Sequence, residues 1–412
     1  MSIDITFIRH GETVANEAAI WQGQGDSPLS ARGRRQVRRL GARLASRPFD
    51  LVLASDLGRA AATASAAFAT YETDKAWREA DTGTWEGMTS EQVRQLFPEE
   101  YQALVEGKEV RIGGGETYDE LAGRIDEAVR ALVDRVDEGA RVAVVSHGGA
   151  IGAVVGGVLG LRRRTRPWPI DRLANTSLTT VRFAADGSAQ LAVFNDAAHL
   201  DGDLSPAAAS GRRVVLIRHG ETDANASGRW QGRTDGLLSP AGRRQADRLA
   251  GWHPGIDRVY TSPLRRARDT AHALVTRDGV DLVERPDLME IHFGEWEDRT
   301  PEDIESGWPD SYRSIYVDGT DLPRGGHGEC WEDAASRIDR VVAEICDGDE
   351  PTLVGVVTHG GASRAYVARL LGIPFAERSR LGPIANTAMS HLAVTSRGPV
   401  LTDYNLTPHL ES

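Results

Sequence analysis

Apolar positions along the chain follow two alternating rhythms. In ITFIRHG the residues Ile5 to Ile8 form a short apolar run that ends in a loop, the pattern of a buried strand. SPLSARGRRQVRRLGARLAS then sets apolar residues at helical spacing behind Ser30, whose hydroxyl suits a helix N-cap. LVLAS reads as a second buried strand, and DLGRAAATASAAFA as an alanine-rich helix. TYDELAGRIDEAVRALVDRVDEG carries Leu121, Ile125, Val129, Leu132 and Val133 at helical spacing. RVAVVSHGG is a β-branched strand that feeds the helix AIGAVVGGVLG. Alternating strands and helices predict an α/β fold, a mostly parallel sheet with helices on both faces. In such folds the functional loops lie at the carboxyl ends of the strands.

The same order of segments then occurs a second time. ITFIRHGETVAN is matched by VVLIRHGETDAN, ASDLGRAAATA by TSPLRRARDTA, TGTWEG by FGEWED, and VAVVSHGGA by VGVVTHGGA. LANTSLTTV is matched by IANTAMSHL. The spacing is nearly constant, from His10 to His219, Arg59 to Arg266, Glu79 to Glu290 and His147 to His359. A repeat of this length is a whole domain and not a solenoid unit. Two tandem domains are therefore expected, 1–200 and 212–412, joined by the Pro/Ala/Ser/Gly stretch 201–211 as linker.

Composition narrows the class. The chain has 412 residues, 40% of them hydrophobic and 26% charged, enough for two real cores. No apolar run approaches the roughly 18 residues of a membrane span. The start, MSIDITFIRHGE, lacks the basic and apolar regions of a signal peptide, so a cytoplasmic protein without membrane association is expected. The net charge of −12 argues against nucleic acid as partner. Two cysteines, Cys330 and Cys346, make neither a disulfide framework nor a four-ligand zinc site. Almost all basic residues are arginine, as a GC-rich coding sequence would produce. Oligomeric state is not legible.

At the predicted strand ends stand Arg9, His10, Arg59 and His147, with Glu79 in a loop. The second half repeats them as Arg218, His219, Arg266, His359 and Glu290. Paired arginines suit a phosphate dianion, since guanidinium groups bond phosphate oxygens bidentately and stay charged. A neutral imidazole beside them can attack phosphorus, and a second can donate to the equatorial oxygens. A carboxyl group can protonate the leaving alkoxide and then activate water. No acidic cluster suited to Mg²⁺ accompanies the set, so neither metal nor cofactor is expected. No GxxxxGK[ST] or dinucleotide loop is present.

With IRHGET, the arginine of SxLxRA, the glutamate before TG or FG, and SHGG or THGG, each half resembles the histidine phosphatase superfamily, the phosphoglycerate mutase-like fold. The resemblance implies phosphohistidines at His10 and His219. It implies phosphoryl binding by Arg9, Arg59 and His147, and by Arg218, Arg266 and His359. Glu79 and Glu290 would be the proton donors. Asn16 and Asn225 would touch the phosphate, and Gln22 and Gln231 would lie at the pocket mouth.

Family resemblance leaves hydrolysis, mutase chemistry and ligand binding by a degenerate domain as alternatives. Neither half has a glutamate loop like LNERHYG of the mutase branch, and the lids, from about Glu86 to Glu116 and Glu297 to Glu329, are of moderate length. Hydrolysis of a small phosphorylated metabolite is the expectation. The first half looks the more altered, with Trp77, Arg78 and Ala80 around its glutamate and no proline in SDLGRA. Arg111 and Arg324 are expected on the solvated lid surface, and Tyr101, Trp308, Tyr312 and Tyr316 are expected to pack the lid on its own domain. Cys330 is read as a helix-start residue, and His199 and His409 as structural.

Overall fold

The first strand, β1 (Ser2–Arg9), carries the ITFI run into the middle of a six-stranded sheet. The computed structural model describes residues 2–161, 169–200, 211–252, 255–275, 280–348 and 353–411. The chain divides into two compact units. Of the expected linker, only Gly211 lies within the described residues.

In the first unit the strand order is β3-β2-β4-β1-β5-β6, with β2 at Leu51–Ala54, β3 at Glu72–Thr73 and β4 at Arg141–Ser146. These four strands are mutually parallel. The edge β5 (Leu178–Ala184) and β6 (Ala189–Asp196) is an antiparallel hairpin on β1. Right-handed crossovers then fix the helices. The steps β1 to β2 to β3 run one way, and their helices, Ala31–Leu44 and Gly58–Ala67, pack together. The steps to β4 and β5 run back, and their helices, Tyr118–Arg135 and Gly148–Leu159, pack together as a second pair.

The local signals act as read. Ser30 caps its helix by accepting from the Gly33 amide at 2.9 Å. The helix Tyr118–Arg135 buries Leu121, Ile125, Val129 and Leu132, while Val133 at its flank is half-buried. Ile8, Leu40, Leu44, Ala54, Ala60, Ala143 and Val145 form one core between sheet and helices.

The second unit repeats the plan as β12-β11-β7-β10-β8-β9, with β7 at Arg213–Arg218, β8 at Arg258–Thr261, β9 at Asp281–Glu284 and β10 at Leu353–Thr358. Its antiparallel edge is β11 (Met389–Thr395) and β12 (Gly398–Leu401). Both units are therefore mixed sheets, mostly parallel. Among the described residues no helix is long and apolar enough to cross a membrane.

Candidate active sites

Strand register assembles the first site. Arg9 at the end of β1 pairs with Ser146 at the end of β4, so His10 and His147 leave adjacent strands side by side. Ala54 of β2 pairs with Val145, which sets Ser55 on the other flank. The two imidazole rings are 5.2 Å apart. In the second unit Arg218 pairs with Thr358, and His219 and His359 lie 5.0 Å apart.

The hydrogen bonds assign the imidazole protons. His10 Nδ1 lies 2.7 Å from the Gly11 carbonyl oxygen, which can only accept, so Nδ1 carries the proton. The lone pair of the neutral ring is then on Nε2. His219 is held the same way by the Gly220 carbonyl, also at 2.7 Å. The loop is fixed in turn by Thr63, whose Oγ1 accepts from the Gly11 amide and donates to the Arg59 carbonyl. Thr270 does the same for Gly220 and Arg266. Burial first, and then the charges of Arg59 and Arg9, hold His10 well below the usual imidazole pKa. Burial, Arg266 and Arg218 do so for His219. His147 and His359 are lowered too, by burial and then by Arg59 and Arg266 respectively.

The arginines are held by backbone. Arg59, fully buried, donates to the carbonyls of Gly25 at 2.8 Å and Gly23 at 2.6 Å. Arg266 donates to Thr234 at 2.9 Å and Gly232 at 2.7 Å. Arg9 donates to the Leu173 carbonyl and Arg218 to that of Ile384, and each keeps a buried Nε without a partner. Burial pulls Arg9 down to about 10 against the opposing charge of Glu79.

Glu79 and Glu290 sit on helix N-termini. Glu79 accepts from the Ala80 and Gly149 amides at 2.9 and 2.8 Å. Glu290 accepts from Ile291, Gly361 and Ala362. A Cβ on Gly149 would stand 2.3 Å from Glu79 Oε1, and one on Gly361 2.7 Å from Glu290 Oε1. The second glycine of each HGG motif is the space in which the carboxylate sits.

The remaining expected residues lie on the rim. Asn16 Oδ1 accepts from the Thr13 amide and from Asn175 Nδ2, which also bonds the His10 carbonyl at 3.0 Å. Asn225 and Asn386 repeat this beside His219. Gln22 and Gln231 accept from Thr13 and Thr222 through Oε1, at 2.9 and 2.7 Å. In Asn16, Asn225, Gln22 and Gln231 the oxygen is engaged and the amide nitrogen remains the donor left for a ligand. Asn175 and Asn386 were not singled out in the sequence, although the repeated LANT and IANT marked them.

Two expectations need revision. Arg324 is not on the lid surface: it is 1% exposed and lines the same 270 Å³ cavity as Arg218, His219, Asn225, Gln231, Arg266 and Glu290. Its guanidinium lies 4.8 Å from the centre of the Phe375 ring, a contact that no local pattern announces. Arg111, by contrast, is exposed and pairs with Glu120. The apparent alterations of the first half also have a structural reason. Trp77 is core, 2% exposed, and its carbonyl accepts from Ser146 just as that of Leu288 accepts from Thr358. Asp56, standing for Pro263, pairs at 2.6 Å with Arg78, standing for Met289. The two departures are one ion pair.

Tyr316 packs on Trp230 and Trp296, and Tyr101 on Trp85, as lid anchors. Cys330 caps the helix Trp331–Asp347, and burial raises its thiol pKa. His199 and His409 bond Thr176 and Thr387, which follow the two rim asparagines.

The chain belongs to the histidine phosphatase superfamily (branch 1), whose model matches residues 5–197 and again 214–407. It is a phosphatase of that superfamily, built as two tandem domains. It is 37% identical over 196 residues to the glucosyl-3-phosphoglycerate phosphatase of Mycobacterium tuberculosis, a match covering 44% of this chain and 85% of that protein. It is 30% identical over 203 residues to the metal-independent phosphoserine phosphatase of Arabidopsis thaliana, covering 48% and 83%. A probable phosphoglycerate mutase GpmB of Serratia proteamaculans is 36% identical over 175 residues, covering 40% and 78%.

Proposed function

We propose that each domain, 1–200 and 212–412, hydrolyses small phosphomonoesters without a metal, through a phosphohistidine. The observation that carries this reading is the tautomer: Nδ1 of His10 and of His219 is committed to a carbonyl, so the lone pair is on Nε2, facing the arginines, and in His219 it accepts from Arg266 Nε at 3.2 Å. In the first step Nε2 attacks phosphorus, the P–O ester bond breaks, and the leaving alkoxide takes a proton from Glu79 or Glu290. Arg9 and Arg59, or Arg218 and Arg266, bind the phosphoryl oxygens as charge redistributes. In the second step the carboxylate takes a proton from water, whose oxygen attacks phosphorus; the P–N bond breaks and phosphate leaves. His147 and His359 donate to an equatorial oxygen through Nδ1 once Ser55 or Ser262 donates to Nε2, the two serines lying 2.8 Å from those nitrogens. Asn16, Asn225, Gln22 and Gln231 add amide donors at the rim.

The test is phosphate release in EDTA from a panel of small phosphomonoesters, with His10→Ala, His219→Ala and the double variant beside wild type. Release that survives EDTA, is partly lost in each single variant and disappears in the double variant supports two active domains. Release lost in EDTA, or retained by the double variant, refutes the mechanism. Isomerisation of a phosphoglycerate with little free phosphate would make the protein a mutase instead.

A further inference from the structure

The cavity of the second domain holds four arginines that the phosphoryl site does not use, of which Arg229 is paired with Asp298 at 3.3 Å. Arg324, Arg364 and Arg378 line it together with Tyr316 and Trp331. Arg324 is held by Asp321 at 2.6 Å, yet its buried Nε and Nη2 make no hydrogen bond of normal geometry. Asp321 itself is shared with the amides of Trp331 and Glu332 at the start of a helix. Arg364 donates to the Arg378 carbonyl and leaves its Nε buried and unbonded. Neither Arg364 nor Arg378 has a carboxylate within ion-pair distance among the described residues. Aromatic faces position the three charges: Arg324 and Arg378 both meet the Phe375 ring, at 4.8 and 4.1 Å, and Trp331 lies 5.8 Å from Arg364. Burial and mutual repulsion disfavour this cluster as it stands, and an anion bound among the guanidinium groups relieves both.

Among the described residues the first domain has no counterpart of Arg324 or Arg364. Gly113 meets Gly83 there as Gly325 meets Gly294, so the position of Arg324 is taken by Ile112, fully buried. Counting from Gly148 and Gly360 at the two helix starts, the position of Arg364 is taken by Gly152.

We propose that Arg324, Arg364 and Arg378 form a second anion subsite in the cavity of the second domain, so that this domain takes phosphomonoesters bearing a further carboxylate or phosphate and the first does not. The proposal rests on the hydrolytic reading for its assay but not for its binding test. Arg364 stands one helical turn beyond Gly361, whose amide bonds Glu290. The subsite therefore adjoins the leaving-group side of the cavity, where the remainder of the substrate extends.

The experiment uses full-length His10→Ala protein, in which turnover belongs to the second domain. Three matched esters are compared: glycerol 1-phosphate, 3-phosphoglycerate and propanediol 1,3-bisphosphate. Charged hydrogen bonds of this kind predict a kcat/KM at least about 10-fold higher for one of the two esters with a second anionic group than for glycerol 1-phosphate, which has none. The carboxylate and bisphosphate arms decide which anion is read. The preference collapses in Arg364→Gln and Arg378→Gln and is absent from the His219→Ala protein, where the first domain turns over. Equal kcat/KM for all three esters in His10→Ala overturns the proposal without any arginine variant, and so does a preference that survives Arg364→Gln/Arg378→Gln. If none of the three esters releases phosphate, they are not substrates, and calorimetric binding of the same esters to the full chain decides. A class of sites that discriminates at least about 10-fold and loses this in the double arginine variant supports the subsite, and equal affinities refute it.

Discussion

Arg266 Nε donates to Nε2 of His219 at 3.2 Å. Its counterpart Arg59 instead donates to Nδ1 of His147, at 3.1 Å. Each guanidinium thus spans two carbonyls and one imidazole, and it can rest on either histidine of its pair. While that contact lasts, the proton of His147 is on Nε2, toward Ser55, and donation through Nδ1 requires the contact to break and the Ser55 bond to reverse; in the second domain His359 Nδ1 has no partner. In the mechanism proposed above, an incoming phosphoryl group would take the place of the Nε contact in both. Only a planar fork with donors on three nitrogens can do this while remaining anchored.

Lysine cannot replace that fork. Arg59→Lys in a His219→Ala background, and Arg266→Lys in a His10→Ala background, are expected to lower kcat by about 10²–10³. Steady-state phosphate release measures this. A loss smaller than about threefold in both domains would mean that these arginines serve only as structural anchors.

The five-residue constellation was legible because it occurs twice, in order, at ends of apolar runs. Helix faces were legible because Leu121, Ile125, Val129 and Leu132 keep a helical period. The antiparallel edges were not, since LTTVRFA mixes polar and apolar residues on a strand paired through distant partners. Arg324 was misread for a related reason. It packs against Phe375, some fifty residues along the chain, and an arginine in a glycine-rich loop otherwise reads as solvated. Asp56 and Arg78 looked like separate losses because an ion pair across 22 positions has no periodic signature.

The carboxylate pocket at the second glycine of each HGG motif predicts a selective defect. Gly149→Ala and Gly361→Ala put a methyl group within 2.3 and 2.7 Å of Glu79 and Glu290 and must move the carboxyl group. Proton donation matters for an alkoxide leaving group and little for a nitrophenolate. Hydrolysis of an alkyl phosphate should therefore fall about 10²-fold, and that of p-nitrophenyl phosphate much less. Equal losses on both substrates would assign the glutamates a binding role only.

The Asp56–Arg78 pair predicts coupling. Asp56→Asn and Arg78→Met should each destabilise the first domain by about 0.5–1 kcal/mol, and the double variant by less than their sum. Arg78 holds the Asp56 carboxyl below its ordinary pKa. The pair's contribution is therefore complete above the ordinary aspartate range and is lost as pH falls through the lower folded value. Urea unfolding of the four proteins at neutral pH measures the coupling, and additive losses would show the two residues to be independent.

Buried imidazoles make stability depend on pH in a window above that of the carboxylates. Unfolded histidines titrate near 6.5. His10, His147, His219 and His359 have folded pKa values well below this, because burial and adjacent arginines disfavour the charged ring. Above pH 7 neither state binds the proton, and these groups contribute their full stability. Between 6.5 and 5 the unfolded chain takes up protons that the folded chain refuses, so stability falls with falling pH. The upper limit is about 1.4 kcal/mol per histidine per pH unit. His409, lowered to about 4, acts in the same sense. Replacing His10 by Gln should flatten the profile for the first domain and leave that of the second unchanged. The nucleophile proposed above has its pKa held well below the ordinary imidazole value, so kcat should lack an acid limb near 6.5 that belongs to imidazole. Urea midpoints at pH 8, 7, 6 and 5 test the first point. A stability that is flat or rising from pH 7 to 5 would mean that the rings are charged in the folded protein, and the tautomer assigned to His10 and His219 would fall with it.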